Sequence, residues 1–192
     1  MNFLGHLLVS GEDPLVITGN FMADGVKGRD LSAYPEALQR GIRMHRTIDS
    51  FTDTHPLTLQ GRERLRAHCG KYAGVALDVF YDHGIARCWP RYGTGPLEAF
   101  THRMYAVLTA HAHLMPLPQQ RMLPYMVQGD WLTSYATLEG IGRALSGLAR
   151  RVPHGAALEG AETVLATHLH AYLAETEAFV LALREHLCHG EG

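Results

Sequence analysis

Cysteine is scarce in this chain of 192 residues, and Cys69, Cys88 and Cys188 lie far apart with no CxxC among them. An odd, scattered set argues against a disulfide framework or a structural zinc site and fits reduced thiols in a cytoplasmic setting. Long hydrophobic runs are missing too. The opening residues, MNFLGHLLVSGEDP, have no basic start, are interrupted by His6 and turn acidic by Glu12. Neither a membrane span nor a secretory signal is expected. Charge of one sign is equally lacking: Lys and Arg total 17 against 19 Asp and Glu, so nothing global points to nucleic acid or a membrane surface as partner. There is no repeat, no low-complexity tract and no Pro/Ser linker, so residues 1–192 are expected to form one domain.

The periodicity is helical almost throughout, and strand-like β-branched alternation is nearly absent. Asp13-Pro14 makes a cap and first turn for a helix expected over 14–28. A second is expected from Tyr34-Pro35 to the mid-fifties, then helices over 57–69, 71–89, 96–114, 117–135, 137–151 and 156–188. The fold class is all-α, a single-domain helical bundle.

Aspartate is distributed unevenly. Seven of the eight lie at or before Asp82, the last being Asp130, whereas glutamates are spread along the whole chain. Aspartate is a poor helix former and a good cap or metal ligand, so residues 1–90 read as the chemical half. Residues 91–192 read as scaffold and substrate-binding helices.

Helical spacing places Asp78 and Asp82 one turn apart on the apolar face of the 71–89 helix, in VFYDHGIARCW and the residue before it, with His83 on the flank. His45 and Asp49 continue a stripe begun by Leu38 and Ile42. Asp24 falls in line with Ile17 and Phe21, one turn after Asn20, and His6 lines up with Phe3. Burying a charge alone is expensive, so such groups are paired, hydrogen-bonded or metal-bound. A mixed Asp/His set suits Mn²⁺, Fe²⁺, Mg²⁺ or Zn²⁺. Each residue also has an ordinary reading. His6 could face solvent, Asp24 could be a helix-end hydrogen-bonding group, and Asp78 could hold an arginine. Asp49 and Asp53 could pair with Arg46 and Arg43 on their own helix. The histidines after Asp130 have no aspartate nearby and read as structural. Joint occurrence on four helices is what favours a site.

MNFLGHL at the start, GNFMADGVKG at 19–28, GIRMHRTIDSFTD at 41–53, YAGVALDVFYDHGIARCW at 72–89 and QGDWLTSYATLEGIGRALSGLARRVP at 128–153 together resemble the acyl carrier protein phosphodiesterases. The resemblance implies a variant HD-domain-like metal phosphohydrolase architecture and a divalent cation, Mn²⁺ foremost. It also implies cleavage of 4′-phosphopantetheine from the serine of holo-acyl carrier protein, a protein partner. In this chain Leu8 stands where the resemblance leads one to expect a second histidine, and Gly84 where it leads one to expect a bulky aromatic.

On that basis Asp24, His45, Asp78 and Asp82 are the candidate metal ligands. His6 and His83 are candidate proton donors, and Asp49 orients His45 or completes the metal shell. Arg46, Arg43 and Asn20 are candidates to hold the phosphate. Cations for an acidic carrier are sought among Arg62, Arg64, Arg66, Arg143, Arg150 and Arg151, and a slot for the pantetheine chain beside Trp131 and Tyr135. The competing readings are an HD-like phosphohydrolase acting on a nucleotide or other small phosphate ester, and a non-catalytic helical module with buried ion pairs.

Overall fold

The computed structural model describes residues 1–189. Eleven α-helices are found among them and no strand: α1 (Phe3–Val9), α2 (Pro14–Met22), α3 (Glu36–Thr54), α4 (Pro56–Cys69), α5 (Ala73–Arg87), α6 (Leu97–Ala110), α7 (Leu117–Gln128), α8 (Trp131–Ser134), α9 (Leu138–Ala149), α10 (Glu162–Thr167) and α11 (Leu169–His189). The all-α class stands. No helix among the described residues is long and apolar enough to cross a membrane. One continuous cluster of buried apolar side chains runs from Met1 to Leu183.

Four expected helices are interrupted, the 96–114 one at His111, where α6 gives way to a 3₁₀ turn over Ala112–Leu114. The 14–28 segment ends as a helix at Met22 and continues as a 3₁₀ turn over Ala23–Gly25, so Asp24 sits on a turn beyond the helix. The 117–135 segment breaks between α7 and α8, where Asp130 takes a left-handed conformation (φ 41°) that no helix propagates. The expected terminal helix over 156–188 divides into a 3₁₀ turn, α10 and α11, with Gly160 at φ 76° between the first two.

The helix ends follow their local chemistry. Asp13 accepts hydrogen bonds from the Leu15 and Val16 amides, with Pro14 at the first helical position of α2. His55 accepts from the Leu57 amide ahead of Pro56 in α4.

The contact that positions the site is the crossing of α2 and α3. A Cβ added to Gly19 would overlap the Leu38 carbonyl, and one on Gly41 would overlap the Val16 carbonyl. The two backbones therefore meet glycine to glycine. That close approach brings Asn20, next to Gly19, against His45, one turn beyond Gly41. Across the core, Gly84 lies so close to Thr176 of α11 that a Cβ would overlap its side chain. Gly84 thus sets the approach of α5 to α11, and a bulky side chain has no room there. Leu8 packs half-buried against the core.

Candidate active site

A cavity of about 250 Å³ opens between α1, α2, α3 and α5, with His6, Asn20, Asp24, His45, Asp49 and Asp78 in its wall. His6 comes from α1, Asn20 from α2, His45 and Asp49 from successive turns of α3, and Asp24 from the turn after α2.

Asn20, fully buried, organises the two histidines. Its Nδ2 donates to the His6 backbone carbonyl at 3.2 Å and to Ser10 Oγ at 2.8 Å. A carbonyl can only accept, so the orientation of the Asn20 amide is settled and its Oδ1 is the acceptor at the other end. That oxygen lies 2.9 Å from His6 Nδ1 and 3.2 Å from His45 Nδ1. Both imidazoles consequently carry a proton on Nδ1 and turn Nε2 into the cavity. The rings stack with centroids 4.2 Å apart.

The two Nε2 atoms meet carboxylates. His6 Nε2 is 3.3 Å from Asp49 Oδ1, and His45 Nε2 is 3.1 Å from Asp49 Oδ2 and 3.2 Å from Asp24 Oδ1. One donor atom each from His6, His45 and Asp49 lie within 4.8 Å of one another. Burial lowers the basicity of His45, but its hydrogen bonds to Asp24 and Asp49 outweigh this and carry it up to about 9. Burial pushes His6 the other way, and its hydrogen bond to Asp49 does not restore it. Asp49 is held far below the usual carboxylate range: burial opposes ionisation, and the hydrogen bonds from His45 and His6 override it. Two imidazole nitrogens and a carboxylate oxygen this close together, sharing protons that a cation can replace, form a donor set that fits a divalent metal ion.

The structure does not bring every candidate to this cluster. Asp78 lines the cavity but pairs with the Met1 ammonium at 3.0 Å. Asp82, completely buried, stands behind α1 and accepts from the amides of Leu4 (2.7 Å) and Gly5 (3.0 Å). It caps the helix that carries His6, and its expected place as a ligand gives way to that task. Burial pushes its carboxyl up to about 7 despite the N-terminal ammonium and these two amides. His83 turns away as well: Nδ1 lies 2.8 Å from the Tyr135 carbonyl, and burial lowers its pKa. Its ring is buried in the core, outside the cavity wall. Arg46 donates to the carbonyls of Val26 and Gly28, and Arg43, exposed, donates to Gln39. Neither faces the cavity, and neither pairs with Asp49 or Asp53. Of the ten candidates, His6, Asn20, Asp24, His45 and Asp49 converge, Asp78 lines the cavity apart from them, and His83, Asp82, Arg43 and Arg46 lie outside it.

A second cavity, a groove of about 820 Å³, runs on from the first and shares Asn2, Phe3, Asp24 and Leu148 with it. Trp131 and Tyr135 line it, as do Arg143, Arg150 and Arg151. The remaining arginine candidates are engaged elsewhere. Arg62 pairs with Asp53, Arg64 with Glu175 under the Tyr172 ring, and Arg66 with Glu63. Two features of the groove were missed in sequence. One is the small-residue face of α9 (Gly140, Ala144, Gly147), whose helical spacing was a usable signal. The other is Gln119, which follows Pro118 with no pattern to mark it.

Residues 1–183 match the family model described as "Acyl carrier protein phosphodiesterase". A protein named acyl carrier protein phosphodiesterase from Photorhabdus laumondii is 36% identical over 83% of this chain and 81% of its own. One of the same name from Yersinia pestis is 34% identical over 88% of each, and one from Pectobacterium atrosepticum 32% identical over 90% of each. No solved structure matches the chain.

Proposed function

The chain belongs to the acyl carrier protein phosphodiesterase family and is a phosphodiesterase, and from that premise we propose how its site works and on what. The substrate is holo-acyl carrier protein, and hydrolysis of the phosphodiester to its serine releases 4′-phosphopantetheine. The observation that carries this reading is the convergence of His6 Nε2, His45 Nε2 and Asp49, oriented through one asparagine oxygen.

In this reading His6, His45 and Asp49 hold a divalent cation, with Asp24, whose side chain is two-thirds exposed, as the adjustable fourth donor. Two imidazoles with carboxylates accept Mn²⁺, Mg²⁺, Fe²⁺ or Zn²⁺, and the family resemblance puts Mn²⁺ first. Such a cation, when bound, neutralises the phosphodiester oxygens and lowers the pKa of the attacking water. The protein's own share is placement. Asn20 fixes both imidazole tautomers, the typical task of a group behind a histidine ligand. Asp82 holds α1, and with it His6, at the correct height. Asp78, tied to the Met1 ammonium, closes the side wall. The architecture is read as a variant of the HD-domain phosphohydrolases and residues 1–192 as one domain. The location is read as cytoplasmic, in keeping with three unpaired thiols.

Incubation with holo-acyl carrier protein and Mn²⁺, followed by intact-mass measurement, tests the reading. Loss of the phosphopantetheine mass is expected, abolished by EDTA and by His45→Ala. An intact carrier together with hydrolysis of nucleotides would overturn it.

A further inference from the structure

The groove beside the metal-type cluster is lined by a side chain with a polar atom that nothing among the described residues satisfies. Gln119, at the start of α7, is 9% exposed, and its Oε1 is wholly buried with no hydrogen-bond partner among the described residues. Its carboxamide lies flat against Gly25, where any Cβ would overlap it. Gly25 follows Asp24 directly, so the stranded amide sits at the end of the groove nearest the cluster. A buried carboxamide oxygen without a partner is costly, and a ligand that draws the side chain round and pairs with it removes the cost. A half-turn about its last bond presents either the oxygen or the NH₂ group, so it can accept or donate.

Phe3 and Leu148 supply apolar surface at the same junction, since both line the cavity and the groove. Trp131 and the α9 residues Ala144 and Gly147 also line the groove. The groove therefore asks for a slender, flexible chain with a compact apolar group and a paired polar group close to its phosphate. A pantetheine chain has this order of groups: a dimethyl-substituted carbon, a hydroxyl and an amide follow the phosphate, then methylenes, a second amide and a thiol.

We infer that this groove receives the pantetheine arm and that Gln119 is a specificity-determining residue, its carboxamide pairing with the hydroxyl and first amide of the arm. The inference rests on the phosphodiesterase reading above for the identity of the arm. Phe3 and Leu148 hold the dimethyl carbon, which places the phosphate over His6, His45 and Asp49. Gly25 is required because it makes room for the Gln119 amide.

The test compares wild type with Gln119→Leu, both Mn²⁺-loaded, on holo-acyl carrier protein and on bis(p-nitrophenyl) phosphate, a diester that lacks the arm. The ratio of kcat/KM for the carrier to that for the small diester should fall about tenfold, the scale of one buried hydrogen bond. Hydrolysis of the small diester also reports that the variant is folded. In parallel, pantetheine titration should quench the Trp131 fluorescence of wild type, vanish in Trp131→Phe and weaken about tenfold in Gln119→Leu. A wild type that cleaves the carrier while Gln119→Leu leaves the ratio unchanged overturns this inference and leaves the phosphodiesterase reading standing. A wild type that spares the carrier but binds pantetheine in a Gln119-dependent way supports the groove assignment and overturns the other reading. Failure of both cleavage and binding overturns both.

Discussion

Asp82 has two opposed accounts, and they predict opposite results. As a metal ligand it would be costly in the metal-free protein, and its removal would be neutral or stabilising there. As the cap of α1 it satisfies two buried amides, Leu4 at 2.7 Å and Gly5 at 3.0 Å, whatever the metal content. In Asp82→Ala the helix loses its cap, a loss of about 1–2 kcal/mol. The second amide, stranded in the core, adds about another 1–2 kcal/mol. The total of about 2–4 kcal/mol corresponds to a fall of roughly 5–15 °C in Tm for a chain of this size. The assay is thermal and urea unfolding in EDTA at neutral pH, with Mn²⁺ affinity measured separately. His6 lies two residues after Leu4 on the same short helix, so Mn²⁺ affinity falls too, as a consequence of the displaced helix. A metal-free Asp82→Ala protein as stable as wild type, combined with lost Mn²⁺ stoichiometry, would refute the capping argument.

Four further outcomes are expected. The Asp82 carboxyl is raised to about 7 in the folded protein, above its unfolded value near 4. The stability it contributes is therefore full below about pH 4 and lost as pH rises through 7, so metal-free wild type should lose ground to Asp82→Asn across that window, by at most about 1.4 kcal/mol per pH unit in urea titrations. Asn20→Leu removes the oxygen that both Nδ1 groups address, and calorimetry should show Mn²⁺ affinity weakened about 10- to 100-fold. Gly41→Ala forces α2 from α3 at the Val16 carbonyl and should destabilise by about 1–3 kcal/mol, with activity falling alongside as Asn20 and His45 separate. Arg150→Glu combined with Arg151→Glu reverses the charge of two groove-side cations and should raise KM for an acidic carrier while flattening its salt dependence, with kcat little changed.

Much of the site was legible in the sequence because it depends on residue type at helical spacing. His45 and Asp49 one turn apart on α3 are a short-range relation that any helix reproduces, and Asn20 and Asp24 are close enough in the chain to stay neighbours although α2 ends between them. The all-α class follows from the same periodicity, and the breaks in the expected helices do not. The errors arose where the same pattern has two physical causes. Asp78 and Asp82 share an apolar face as ligands would, but a buried carboxylate is equally suited to an ammonium or a helix N-terminus, and only the partner across the core tells them apart. His83 likewise sits beside Asp82 in the chain, yet its ring turns to the Tyr135 carbonyl, 52 residues away in sequence.

The sequence by itself determined the helical class, the aspartate-rich half and the pool of Asp and His residues from which the candidate site is drawn, because these rest on composition and local period. Tertiary structure decided which of them meet. The glycine crossing of α2 and α3 sets Asn20 between two histidines from different helices, and the position of α7 leaves the Gln119 amide stranded against Gly25. Such contacts join residues 14 to 94 positions apart, and no local preference of the chain encodes a distance of that kind.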